Sequence, residues 1–256
     1  NSEAAVAALQ SAYGVATKFN SQITALVVSG KEDNLEDSRA ALESFNEEKG
    51  LNMEIIERSG AVYDEVIKLE KEMDFGLILL GSHGTKGWQK FWMGSNAFKV
   101  ITSSTCPVIS VTAKASSPEL KNILLPIGDS RNTRQKVPYC IKMAKAFNAT
   151  VHIIGVSKGK STDTEKHIIS YINQTEQFLA SKGIKVTSKI SLGVKVAETC
   201  IEYAEEVNAG LMMIMSETEN SGLFMDSYSQ QLVNYSTVPI MSVHSKDTRL
   251  TGAAGY

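Results

Sequence analysis

Gly81, Gly84, Gly94 and Ser95 lie together in "GSHGTKGWQKFWMGS", residues 81–95, directly behind the apolar run Leu77–Leu80. Glycine weakens regular structure, so four glycines in one short stretch suggest backbone in unusual conformations or a group brought close to backbone amides. The chemistry this spacing suits is anion binding. An apolar strand before the loop and a helix after it would gather free amides and a helix dipole around phosphate oxygens. The Ser95 hydroxyl would either donate to the phosphate or cap the helix. No G-x-x-x-x-G-K-[S/T] element is present, and Lys86 falls in the wrong place for one.

Nothing else in the chain suggests catalysis. His152, His167 and His244 are scattered without metal-ligand spacing, and no catalytic base stands beside an orienting group. Trp88 and Trp92, four positions apart, are expected to pack against the body of the protein or another chain. Cys106, Cys140 and Cys200 have no C-x-x-C spacing and read as reduced thiols, hence a cytoplasmic protein. Of the 256 residues 43% are hydrophobic and 21% charged, and the net charge is −2. That balance excludes a disordered chain and disfavours a nucleic-acid partner, and no apolar run is long enough for a membrane span.

The elements that must position the loop occur twice. "VATKFNSQITALVVS" (15–29) matches "MAKAFNATVHIIGVS" (143–157), "FGLILL" (75–80) matches "AGLMMI" (209–214), and "PVISV" (107–111) matches "PIMSV" (239–243). Each copy alternates helices with short apolar strands, the pattern of a parallel sheet with right-handed crossovers. In the first copy, helices are expected at 3–19, 35–49, 60–73 and 95–103, with strands at 22–28, 51–58, 76–80 and 107–112. In the second, strands are expected at 122–127, 150–156, 185–191, 210–215 and 239–243, with helices at 132–147, 163–182, 194–207 and 227–235. Residues 1–113 and 120–256 form the two expected domains, joined by a small, polar linker. The second copy opens on "NILLPIGDS", but the first begins at the counterpart of Asp129–Ser130, so its first strand is not in the sequence. Residues preceding Asn1 are therefore expected, because such a strand would be central to the sheet.

With the strand before it and "TCPVISV" behind it, "LLGSHGTKGWQKFWMGS" resembles the universal stress protein family, whose ATP-binding members carry G-x2-G-x9-G-[S/T] here. The resemblance implies two tandem doubly wound α/β domains, Rossmann-like and similar to adenine nucleotide alpha hydrolases, each with a five-stranded parallel sheet. It also implies a pseudo-dimer paired through the last strands, 108–111 and 240–243; pairing of whole chains into a homodimer stays open. The implied ligand is an adenine nucleotide, ATP with or without magnesium, in contact with Val28, Gly81, His83, Gly84, Gly94 and Ser95. No catalytic or metal-binding residue follows, although a slow ATPase stays open. In the second copy, Met215, Glu217, Thr218 and Asp226–Ser227 replace Gly81, His83, Gly84 and Gly94–Ser95, so that copy is expected not to bind ATP. An interaction module without nucleotide, acting through the pseudo-dimer surface, is the alternative.

Overall fold

In the computed structural model, which describes residues 2–30, 35–81, 95–112, 120–216 and 227–244, the chain starts on a helix cap. Ser2 Oγ accepts a hydrogen bond from the Ala5 amide at 3.1 Å, and helix α1 (Glu3–Phe19) follows with Glu3 in its first turn, where the dipole favours a carboxylate. The helix ends on Asn20 in the left-handed conformation, φ 50°, and the Ser21 amide donates to Ala16 O. The second copy ends its corresponding helix in the same way, on Asn148 with φ 49°. The repeated Phe-Asn of the sequence is thus a repeated helix stop.

The remaining elements of the first copy are β1 (Thr24–Ser29), α2 (Glu36–Lys49), β2 (Glu54–Ser59), α3 (Val62–Glu72), β3 (Ile78–Gly81), α4 (Ser95–Ser103) and β4 (Val108–Val111). The second copy contains β5 (Asn122–Ile127), a 3-10 turn (Arg131–Arg134), α5 (Val137–Phe147), β6 (Thr150–Ser157), α6 (Thr162–Ser181), β7 (Val186–Leu192), α7 (Val196–Glu206), β8 (Leu211–Ser216), α8 (Ser227–Tyr235) and β9 (Ile240–His244). Two differences from the expected elements have a local cause. The helix expected at 132–147 is split into the 3-10 turn and α5, because Pro138 lacks an N–H and fits only the first turn of a helix. The strand expected from 51 begins at Glu54, since the amides of Leu51 and Met53 are taken by Asn46 in closing α2.

The strands form one seven-stranded sheet, in the order β3-β4-β9-β8-β5-β6-β7, and a separate pair, β1-β2. Within the second copy all five strands are parallel, with β5 at the centre between β6 and β8. The first copy shows parallel pairs β1–β2 and β3–β4, and among the described residues no strand stands between β1 and β3. Strand β4 meets β9 antiparallel, with Ile109 opposite Met241.

Alternate residues of the seven-stranded sheet feed two cores. Ile123, Leu125, Ile127, Val151, Ile153, Met213 and Met241 face the layer of α1, α5 and α6. Leu124, Ile154, Met212, Ile214, Val108 and Ile240 face α4, α7 and α8. Central parallel strands buried on both faces read as continuous apolar runs, which is why "NILLPI" and "LMMIM" show no alternation.

Candidate functional site

The carboxyl ends of parallel strands and the amino ends of the following helices make the edge where ligands bind in open α/β sheets. In the first copy that edge carries Val28 and Ser29 from β1, Arg58 and Ser59 from β2, Gly81 from β3, and Ser95 at the start of α4. Val28 is half-buried and lies opposite Arg58 in the β1–β2 ladder. Ser95 is exposed. His83, Gly84 and Gly94, together with Trp88 and Trp92, lie outside the described residues.

Gly81 ends β3 under close contact. A Cβ built on it would stand 2.7 Å from the carbonyl carbon of Ala4 and 2.9 Å from the Ala5 amide nitrogen, so only glycine allows the start of α1 to rest there. Its counterpart Met215 keeps a full side chain, 1% exposed and packed in the core. Val28 and Gly81 therefore share one edge of the fold, but their strands belong to different sheets.

Three features of this edge were not singled out by the sequence reading. Ser29, 6% exposed, holds Ser59 through a hydroxyl pair at 2.9 Å, and the Gly60 amide donates to Ser29 O at 3.0 Å. Gly60 has φ 148°, which favours glycine, and its neighbour Glu65 Oε1 would stand 3.1 Å from an added Cβ. Arg58 reaches Glu65 at 3.7 Å and also pairs with Glu72, while Lys68 covers Glu65 at 2.6 Å. The hydrogen bond to Glu72 leads in raising the Arg58 pKa, and the same bond leads in lowering that of Glu72. A Ser-Gly pair ending two successive strands, "VVSG" and "ERSG", was the available signal.

Behind the edge, Glu70 anchors the segment that joins α4 to β4. Its Oε1 accepts hydrogen bonds from the Thr105 amide at 2.7 Å, the Cys106 amide at 2.8 Å, Thr105 Oγ1 at 2.8 Å and Ser104 Oγ at 2.9 Å. Burial alone would raise its pKa, but the bonds from Cys106, Thr105 and Ser104 outweigh it and hold the carboxyl below the ordinary value. Burial likewise pushes the Cys106 thiol up to about 11, so this cysteine behaves as a small packed side chain. His244 Nε2 lies 2.7 Å from Ile101 O, and burial lowers its pKa, with the Ile101 carbonyl and the Glu70 carboxylate pulling the other way.

Along the corresponding edge of the second copy, described polar side chains bond within the protein. Lys136, 2% exposed, donates through Nζ to Thr133 O, and Thr133 Oγ1 donates to Ser130 O at 2.8 Å. Ser229 Oγ donates to Met215 O at 3.1 Å. Burial pushes the Cys140 and Cys200 thiols up to about 12, with Lys136 pulling weakly the other way. These two cysteines lie on opposite faces of the sheet. Glu217, Thr218 and Asp226 lie outside the described residues, and Ser227 begins α8.

The model of the universal stress protein family matches residues 1–112 and again 119–244. A curated relative, the universal stress protein YxiE of Bacillus subtilis (strain 168), is 39% identical over 64 residues, which is 25% of this chain and 43% of that protein. The matched region thus spans less than half of the length of that relative. Among solved structures, a universal stress protein from Archaeoglobus fulgidus DSM 4304 superposes with a TM-score of 0.72 at 20% identity, covering 93% of this chain and 94% of the other. A second, from Pseudomonas aeruginosa UCBPP-PA14, gives 0.74 at 16% identity over 95% and 90% of the two chains. At these identities the superpositions bear on the fold alone.

Proposed function

Because the chain belongs to the universal stress protein family and carries its domain twice, we propose that it is a nucleotide-responsive regulatory protein. In this reading the first copy holds ATP and the second serves as its partner without a nucleotide. The supporting observation is the hand-off from β3 to α4: the strand ends on Gly81 and the helix starts on an exposed Ser95, bracketing the glycines of the loop. The second copy has Met215 and the Ser229 hydroxyl bond at the same place. Val28, Gly81, His83, Gly84, Gly94 and Ser95 are the residues that would hold the nucleotide, which would supply negative oxygens to backbone amides and a helix start. Magnesium, where present, would arrive on the phosphates.

A pseudo-dimer of the two copies through β4 and β9 belongs to the same proposal, as do a regulatory rather than enzymatic role and a place in the cytoplasm. Among the described residues no helix is long and apolar enough to cross a membrane. Isothermal titration with ATP tests the reading. One site per chain, weakened about ten-fold or more by Gly84→Ala and Ser95→Ala, is expected. No heat, or two equal sites, would refute it.

One observation favours the alternative, an interaction module without nucleotide: Gly81 is needed for the close approach of α1 whether or not a ligand is bound. Under that alternative the titration is silent, and Gly84→Ala leaves all binding partners unchanged.

A further inference from the structure

Between the start of α5 and the end of β9 lies a cavity of about 270 Å³. Its described lining is Gln135, Pro138, Tyr139, Lys142, Val243 and His244, and none of these is a carboxylate. Pro138, Val243 and the ring of Tyr139 supply apolar surface, and Lys142 supplies a positive charge. Lys142 is exposed and Tyr139 half-buried, and neither side chain bonds to a described residue. Gln135 is already engaged, its Nε2 donating to Asn132 Oδ1 at 3.2 Å. His244 Nε2 lies 2.7 Å from Ile101 O; a carbonyl only accepts, so Nε2 carries the proton. Burial lowers the pKa of this ring, which is uncharged at neutral pH and leaves Lys142 as the sole cation of the described lining. The repeat shows that this chemistry belongs to one copy. Gln135, Tyr139, Lys142 and His244 fall on Ala7, Ser11, Gly14 and Thr112 of the first, none of which brings a charge or a ring. Thr112 Oγ1 is buried without a hydrogen-bond partner among the described residues, where His244 reaches α4. The space beside Ser11 and Gly14 is about 40 Å³, room for little more than a water.

We propose that the cavity between α5 and β9 binds a small organic monocarboxylate, its charge paired with Lys142 and its apolar body laid against Pro138, Tyr139 and Val243. Three observations define the occupant. The sign is negative, because the described lining offers one ammonium and no acid that would receive a cation. The charge is single, because a polyphosphate would bring several negative oxygens to one exposed lysine and leave most of them uncompensated. The size follows from the volume, which suits about ten heavy atoms and falls below the range of drug-sized ligands. Because His244 also ties β9 to α4, an occupant touching it contacts the seam between the copies. This inference stands apart from the nucleotide reading, since every described lining residue belongs to the second copy.

The test titrates benzoate into the 256-residue chain and follows NMR shifts residue by residue. Saturable shifts at Tyr139, Lys142, Val243 and His244, with a Kd of about 1 mM or tighter, are expected. Neutral benzamide in place of benzoate, and Lys142→Gln in place of the wild type, should each weaken binding about five-fold or more. Lys145→Gln removes an exposed lysine of α5 outside the described lining and should change the affinity by less than about two-fold. Gly84→Ala, which would damage a nucleotide loop in the first copy, should leave benzoate binding intact, so the two readings fail separately. No shift at these residues up to about 10 mM benzoate overturns the proposal. Equal affinity for acid and amide, or equal losses from Lys142→Gln and Lys145→Gln, would also overturn it, since either result means that Lys142 does not hold the carboxylate.

Discussion

Glu70 illustrates how a single side chain can organise a segment far along the chain. Its carboxylate satisfies two amides and two hydroxyls at residues 104–106, which precede the strand that joins the two copies. Its folded pKa is lowered, so its contribution is present above the unfolded value and is lost as pH falls through the folded value. Glu70→Gln is expected to cost about 1 kcal/mol at neutral pH, after allowance for its partial exposure. Urea unfolding between pH 7 and pH 3 should show the wild type losing that advantage in the acid range, with the variant flatter; parallel curves would refute this. Gly81 makes a second prediction at this scale. Gly81→Ala is expected to lower stability by about 1–3 kcal/mol through overpacking against Ala4, whereas Gly76→Ala meets nothing within 4 Å and should be tolerated. Equal thermal shifts for the two variants would rule out the close contact.

Among the elements, the outer layer of the first copy is held more weakly than its equivalent in the second. Helix α2 has no buried residue, while α6 buries Ile168, Ile172, Thr175 and Leu179. A matched pair of truncations measures the difference. Leu179→Ala is expected to cost about 2–5 kcal/mol, as for a fully buried leucine, and Leu42→Ala, half-buried in α2, well under half of that. Denaturant midpoints at equal m-values would report both, and equal losses would show α2 to be as firmly packed as α6. The helices and strands themselves were largely visible in the sequence, because apolar spacing, Ser2 as a cap and Asn20 as a stop act within one turn. Pro138 marked a helix that had to start late, at Val137 rather than 132, and its consequence was missed because a pattern of apolar residues continues across it.

At the level of the whole molecule, β4 and β9 run antiparallel and continue one sheet across both copies. Val108, Ile109 and Val111 are at most 3% exposed, so a charge in this ladder would be buried without compensation. Ile109→Lys is expected to separate heat unfolding into two calorimetric transitions, one for each copy. A single transition at unchanged temperature would show that the ladder does not couple them.

The chain read alone establishes what is local: the repeat, the order of helices and strands, and the glycines and serine bracketed by β3 and α4. Spacing and caps carry that information within a few residues. Tertiary structure alone decides which edges meet. The 2.9 Å pairing of Ser29 with Ser59, the four bonds to Glu70 and the Ile109–Met241 register all join residues distant in sequence. Such partners are selected by packing and by hydrogen bonds that must be satisfied once water is excluded, and neither leaves a periodic mark in the residues that make them.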